Sequence, residues 1–176
     1  MLTLKNHTGE KLLNTFYSSF FHAILFSLLL LTVYSCSDTV TPAGPEANTI
    51  SGNITFVDSN FITSGGYYDI GVFPNPSNPP AYWFGPPSAN DTLIYSRIGN
   101  VFQANYKLRG VSNGNYVVAV GFRKNTGGQS PIMGVYGCDT AHTTCFLNPP
   151  RVSITENQGK ENINFLSWGD TTKKVY

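Results

Sequence analysis

Apolar and polar side chains alternate in several stretches of this chain after residue 48. In the clearest stretch, every second residue from Phe102 to Leu108 is apolar, and the residues between them are polar or charged. Because successive side chains of a β-strand point to opposite faces of the sheet, this period of two predicts strands with one buried and one solvated face. No stretch after residue 35 shows sustained helical periodicity with capping residues. The sequence therefore predicts an all-β domain of antiparallel strands in two packed layers.

The same alternation predicts the inward-facing residues of three further strands. These residues are Ile50, Ile54 and Phe56 in the first strand, Tyr68, Ile70 and Val72 in the second, and Tyr116, Val118, Val120 and Phe122 in a later one. Gly52 falls on the apolar face of the first strand, which predicts a close backbone approach or a bulge at that position. Residues 131–137 predict a short edge strand, and residues 151–155 and 162–168 predict the last strands.

Two segments of the chain resemble the prealbumin-like repeat of carboxypeptidase regulatory-like domains. They are Gly52-Asn53-Ile54 and the run from Tyr106 to Val118, YKLRGVSNGNYVV, which is similar to the family pattern Y-x-L-x-G-L-x-x-G-x-Y-x-V. The resemblance implies a Greek-key β-sandwich of prealbumin-like or immunoglobulin-like shape, which in that family is usually non-catalytic. The Pro-rich segment after the second strand departs from the family pattern, so the topology of residues 74–100 stays open.

The N-terminal segment contains an apolar run from Phe20 to Tyr34, which follows Lys5 and Lys11. At 1.5 Å per helical residue this run would span about 22 Å, less than the ~30 Å hydrocarbon core of a bilayer. A membrane-spanning helix is therefore disfavoured. An apolar run of this length behind basic residues is typical of a secretory signal peptide.

The residues that end this run, Val33-Tyr34-Ser35-Cys36, resemble the lipobox of bacterial lipoproteins. In that family the cysteine is acylated and the peptide before it is removed, and two or more acyl chains make membrane residence stable. The alternative is an ordinary cleaved signal peptide with an unrelated cysteine. The predicted organisation is a signal peptide at 1–35, the lipidated Cys36 and a flexible Pro-containing tether at 36–48, a β-sandwich domain at 49–168 and a tail at 169–176. The expected location is the bacterial cell envelope, in the outer membrane, on its periplasmic or its surface face.

Two cysteines remain once Cys36 is assigned to the anchor. Cys138 and Cys145 lie close together in GCDTAHTTC, and export favours their oxidation to a disulfide. The alternative is a metal site that adds His142 and Asp139 to the two sulfurs. No second pair of cysteines or histidines completes a tetrahedral set, so the sequence predicts a disulfide and no metal.

The segment from Phe73 to Asp91 is a long loop with six of the 11 prolines and the triplet Tyr82-Trp83-Phe84. Loops longer than about 12–15 residues in compact domains are usually functional or disordered. One interpretation is that the loop displays these aromatic rings to a sugar or a peptide. The other is that Trp83 turns back and covers an open end of the sandwich.

The charge balance and the motifs exclude several classes of function. The chain has 11 Lys and Arg and 10 Asp and Glu, and Lys5, Lys11 and Glu10 lie before Cys36, so nine of each sign remain. A domain near neutrality has no basic patch for nucleic acid. Outside the first 35 residues the chain has a single histidine, His142, and it contains no GxSxG or HExxH motif, so we expect no enzyme and no cofactor.

The sequence thus predicts a non-catalytic exported module with a structural, adhesive or envelope-assembly role. We expect its partners to be the membrane, through the acyl chains on Cys36, and an envelope protein or polysaccharide. The alternative is a glycan-binding surface lipoprotein that uses Tyr82, Trp83 and Phe84.

Overall fold

The computed structural model describes residues 44–57, 61–62, 64–78, 83–128, 130–138, 145 and 147–173. Within these ranges the chain forms nine strands and one 3₁₀ helix. The strands are β1 (Thr49–Phe56), β2 (Gly66–Pro74), β3 (Ala89–Thr92), β4 (Ser96–Ile98), β5 (Val101–Arg109), β6 (Gly114–Lys124), β7 (Ile132–Val135), β8 (Val152–Ile154) and β9 (Phe165–Ser167), and the 3₁₀ helix is Thr171–Lys173. The all-β prediction is confirmed. Among the described residues, no helix has the length and apolar character needed to cross a membrane.

The strands form two sheets. The first sheet has the order β4-β5-β1-β9, and the second has the order β3-β2-β6-β7, with β8 also paired to β6. All pairs are antiparallel except β1 with β9, which run parallel. The purely antiparallel prediction is wrong at this one pair, because residues 155–164 carry the chain from the end of β8 to the start of β1 before β9 begins. The segment that leads into β9, and β9 itself, therefore run parallel to β1.

The main core contains side chains from both sheets, which places it between them. The inward residues predicted from alternation in β1, β2 and β6 are all buried, at 7% exposure or less: Ile50, Ile54, Phe56, Tyr68, Ile70, Val72, Tyr116, Val118, Val120 and Phe122. In β5, Ala104, Tyr106 and Leu108 are buried as predicted, and Phe102 packs against the core partly buried. The register inferred from the period of two is therefore confirmed.

Gly52 brings β1 into close contact with the chain that leads to β9. A Cβ added to Gly52 would lie 2.2 Å from the carbonyl oxygen of Ile163, so only glycine fits at this position. This is the close backbone approach that the sequence predicts. The buried hydroxyl of Tyr106 donates a hydrogen bond to the same carbonyl at 2.7 Å, which ties β5 to this crossing.

One end of the core is filled by aromatic rings. Phe61 stacks on Phe102 with ring centroids 4.2 Å apart, and it meets Phe56 edge-on at 4.8 Å. Tyr68 and Tyr95 join the same group. The hydroxyl of Tyr68 donates a short hydrogen bond to the carbonyl of Gly169, so residues after β9 also close this end.

The last residues of the predicted tether are bound to the domain. The Glu46 carboxylate forms an ion pair with Lys107, with Oε2 and Nζ 2.6 Å apart, and its Oε1 accepts a 3.2 Å hydrogen bond from Nε of Arg109. Both partners lie on β5. These two contacts lower the pKa of the Glu46 carboxyl. Asn48 donates its backbone N–H to the carbonyl of Asn157 at 2.8 Å. Glu46 is therefore held to β5 through its side chain, and Asn48 is held to the loop at Asn157 through its backbone.

Candidate functional site

The outer face of the second sheet is covered by a separate group of buried side chains, here called the outer-face cluster. Its buried members are Trp83, Val117, Ala119, Val135 and Cys138, and the partly buried Phe73, Phe84, Ile132 and Cys145 pack against them. Val117 and Ala119 are 0% and 2% exposed, although they point away from the main core. Strand β6 is thus buried on both faces, as is usual only for strands with a layer on each side.

Trp83 lies at the centre of the outer-face cluster. Its side chain is 3% exposed. Its ring stacks on Phe84 with a centroid distance of 4.5 Å and meets Phe73 edge-on at 5.2 Å. Trp83 therefore turns back onto the domain, as the second interpretation of the aromatic loop states. It covers the outer face of the second sheet, however, and not an open end of the sandwich. Tyr82 lies outside the described residues, and Phe84 is partly buried.

The two downstream cysteines meet at the edge of the same cluster. Cys138 and Cys145 lie at disulfide distance, with Cα atoms 5.6 Å apart, as predicted. Cys138 follows β7 and is buried against the aromatic loop. His142 and Asp139, the other two residues of the alternative metal site, lie outside the described residues. Within the described part of the chain no three His, Cys, Asp or Glu residues come close enough to hold a metal ion.

A cleft opens beside the outer-face cluster, on the same face of the sheet. It has a volume of about 260 Å³, close to the lower end of the range for small-ligand pockets. Its floor includes Gly71 of β2 and Gly121 of β6, and Phe73, Phe84 and Pro87 form an apolar wall. The missing side chains let the walls of the cleft lie close to the sheet, since a Cβ on Gly71 would be 3.0 Å from the Phe73 ring and a Cβ on Gly121 would be 3.0 Å from Oδ1 of Asp69.

An ion pair forms the polar end of this cleft. The Oδ2 atom of Asp69 accepts a 2.5 Å hydrogen bond from Nε of Arg123. Asp69 lies opposite Gly121 in the β2–β6 register and Arg123 lies two residues further along β6, so the pair is a diagonal contact between strands. The Asp69 side chain is 10% exposed and the Arg123 side chain is 44% exposed.

Burial raises the pKa of the Asp69 carboxyl above its usual value, although the pairing with Arg123 opposes this shift. The same pairing raises the pKa of Arg123. Both pKa values are raised, but for different reasons: the Asp69 carboxyl loses most of its water, and this outweighs the screened attraction of the exposed guanidinium, whereas the Arg123 cation is stabilised by the carboxylate. A buried carboxyl with a shifted pKa beside a charged partner in a cleft is typical of binding and catalytic sites.

In the sequence, Asp58, Asp69, Asp91 and Asp170 are isolated and lie near predicted strand ends or turns, which favours hydrogen bonds within turns over a metal or catalytic role. Asp170 stabilises a turn as predicted, because its Oδ1 accepts hydrogen bonds from the backbone N–H and the hydroxyl of Thr172. Asp69 was expected to act in the same way near a strand end. It instead lies within β2 and pairs with Arg123, which the sequence analysis did not single out.

Two signals in the sequence point to the outer-face cluster and the cleft. The run Tyr116-Val117-Val118-Ala119-Val120 is continuously apolar, and such a run predicts a strand buried on both faces. The second signal is the pair Gly71 and Gly121, which fall on the outward faces of β2 and β6. The alternation predicts solvent-facing side chains at these positions, and glycine provides none. Cys36, the predicted lipidation site, lies outside the described residues.

Comparisons with known proteins give no relative for this chain. A scan against protein-family models, a search of curated proteins and a search of solved structures each found no significant match.

Proposed function

We propose that this chain is an exported, lipid-anchored β-sandwich module without catalytic activity. In this proposal residues 1–35 are removed, Cys36 carries the acyl chains, and the domain has a structural, adhesive or assembly role in the bacterial cell envelope. The observation that carries the proposal is the order of features in the sequence: basic residues, an apolar run too short to span a bilayer, and Val33-Tyr34-Ser35-Cys36 at the end of that run. Two or more acyl chains would hold the domain at a membrane stably, whereas a single chain would not.

The contacts of Glu46 support an anchor at the N-terminal side of the domain. Glu46 and Asn48 fix the incoming chain to β5 and to the loop at Asn157. Force on the tether would therefore act on the start of β1, which is paired with β5 on one side and bonded to Lys160 through Ser51 and Thr49 on the other. A strand held by partners on both sides is a suitable attachment point for an anchored domain.

We further infer that the sandwich is of the Greek-key, prealbumin-like or immunoglobulin-like type. The two sheet orders and the parallel β1–β9 pair support this, because the chain changes sheet after β1, after β3, after β5 and after β8. The hydroxyl of Tyr116 donates a 2.9 Å hydrogen bond to the carbonyl of Ser112, four residues upstream. A tyrosine bonded in this way to the backbone just before its strand is the tyrosine corner that many Greek-key domains share. Tyr116 belongs to the segment that resembles the carboxypeptidase regulatory-like repeat.

Glycan binding is the second candidate function. The buried position of Trp83 removes the most favourable ring for stacking on a sugar in this conformation. What favours the candidate is the adjacent cleft, in which aromatic rings and an ion pair line one cavity.

Replacement of Cys36 by Ala tests the anchor. In the proposed arrangement the wild-type protein remains with the membrane fraction after a high-salt wash, because acyl chains resist salt and electrostatic attachment does not. The Cys36→Ala protein should leave that fraction or accumulate as the uncleaved precursor. Ser35→Ala, which keeps a small residue before the cysteine, is the matched control and should behave like the wild type. Salt-resistant, processed Cys36→Ala protein in the membrane fraction would contradict the proposal.

A further inference from the structure

The cleft beside the outer-face cluster has the chemical character of a ligand site. It combines a glycine floor at Gly71 and Gly121, an apolar wall at Phe73 and Pro87, and the Asp69–Arg123 pair at one end. Binding pockets combine apolar walls with convergent polar groups, and this cleft has both in nearly equal shares. We propose that it binds a single neutral sugar unit of an envelope polysaccharide.

The charge of the cleft selects for a neutral ligand. One carboxylate and one guanidinium within hydrogen-bond distance leave the polar end without net charge. An ionic ligand would be attracted by one member of the pair and repelled by the other, so it would gain little net attraction to offset the loss of its hydration shell. A neutral ligand has no such shell to lose.

The hydrogen-bonding groups of the pair select for hydroxyls. The guanidinium has five N–H donors, of which Nε is used by Asp69, and no described residue accepts from the two Nη groups. The carboxylate offers only acceptors, and Oδ1 accepts no hydrogen bond from another described residue. A ligand that bridges this pair must therefore accept from one group and donate to the other. Neighbouring hydroxyls of a sugar ring do both, since each hydroxyl is one donor and two acceptor positions.

The apolar wall fits the remaining part of a sugar ring. The carbon face of a pyranose is apolar and flat, and aromatic and proline rings pack against such faces. A cavity of about 260 Å³ suits one ring rather than a longer oligosaccharide. Because the cleft opens on the surface of the sheet, the rest of a chain could continue on either side of the bound unit.

Gly121 provides a test on the floor of the cleft that keeps both members of the ion pair. A Cβ at Gly121 would lie 3.0 Å from Oδ1 of Asp69, so the carboxylate must shift slightly, and 3.7 Å from the carbonyl oxygen of Pro131, with no positive φ to strain it. Valine at this position suits a β-strand and would place its methyl groups on the floor of the cleft. Arg123→Lys is a second variant, because lysine keeps the positive charge beside Asp69 but lacks the planar fork of donors. Gly44→Ala is the control, since a Cβ there meets nothing within 4 Å and lies outside the cleft.

Saturation-transfer NMR on the purified full chain in detergent measures binding. The probes are the methyl glycosides of glucose, galactose and mannose, with glucuronic acid and glucosamine in mildly acidic buffer as the anionic and cationic counterparts. We expect at least one neutral glycoside to bind the wild type and the Gly44→Ala control, and Gly121→Val and Arg123→Lys to weaken its binding by about tenfold or more, which is about 1.4 kcal/mol. The melting temperatures of the variants show that they remain folded.

Three results would overturn this inference: no neutral glycoside binds the wild type, the folded variants bind as the wild type does, or a charged sugar binds more tightly than every neutral one. The inference rests on glycan binding, the second candidate function, and does not depend on the lipid anchor. The NMR experiment reports on the cleft whether or not Cys36 is acylated, so its failure and the failure of the anchor test can be told apart.

Discussion

Replacement of Trp83 by Ala probes the burial of the outer sheet face, which the alternation of the strands does not predict. Trp83 is 3% exposed and packs on Val117 and Ala119, with Phe84 stacked on its ring. A buried tryptophan removes about 150–250 Å² from water, which at about 25 cal/mol per Å² corresponds to roughly 4–6 kcal/mol as an upper bound. Substitutions of buried aromatic residues by alanine cost about 3–5 kcal/mol. We therefore expect Trp83→Ala to lower the free energy of unfolding by about 4 kcal/mol.

Urea denaturation of the wild type, Trp83→Ala and Trp83→Phe measures this loss. Trp83→Phe is the matched control, because it keeps an aromatic ring between Phe84 and the sheet and should recover most of the lost stability. A loss below about 1 kcal/mol for Trp83→Ala would refute the burial of the ring, because losses that small are typical of substitutions at exposed positions. The chain has two tryptophans, so in a Trp168→Phe background the emission comes from Trp83 alone. That emission should be blue-shifted and resistant to a soluble quencher.

Three further predictions concern the core, the disulfide and the ion pair. Val120→Asp would bury an unpaired charge at a position with 0% exposure and should abolish cooperative unfolding. Gln103→Asp, on the outward side of β5, should change the unfolding free energy by no more than about 0.5 kcal/mol. Similar behaviour of the two variants would contradict the strand register. Cys138→Ser should cost about 2.5 kcal/mol, because the bridge to Cys145 closes a short loop, and thiol labelling of the unfolded, unreduced wild type should find no reactive sulfhydryl; two labelled thiols would disprove the bond. Burial raises the pKa of Asp69 above 3.8, so the stability that the neutral carboxyl provides is present below that pH and is lost as pH rises through the higher folded value. The free energy of unfolding of the wild type, measured relative to Asp69→Asn, should therefore fall as pH rises through this window, and a rise would contradict the assignment.

The main core could be predicted from the sequence because it depends on a local rule. A residue such as Val118 or Ile54 faces inward when its neighbours two positions away are apolar, and no knowledge of the partner strand is needed. Gly52 was predictable for the same reason, as a glycine on an apolar face. Strands β3 and β4 lack this signal. They are short edge strands on which Asn90, Asp91 and Arg97 are exposed, so neither strand has a buried face that would make the sequence alternate.

The outer-face cluster depends on contacts between distant segments, which alternation does not encode. Trp83 and Val117 are far apart in the chain, and only the fold of the Pro-rich loop brings them together. The Asp69–Arg123 pair likewise follows from the register of β2 and β6, which a single sequence does not specify. The aromatic triplet indicates an unusual loop. It does not distinguish the two interpretations, because aromatic residues are expected both in a loop that displays them to a ligand and in a loop that buries them against the sheet. The parallel course of β9 also follows from a crossing that has no local signal.

The mass of the protein extracted from membranes is the most direct test of the central claim, which is a lipid anchor at Cys36. Intact-mass analysis, followed by mapping of the N-terminal peptide, should show a chain that begins at Cys36, lacks residues 1–35 and carries added acyl groups on that residue. A mature chain that begins at another residue, or an unmodified Cys36 thiol, would contradict the account.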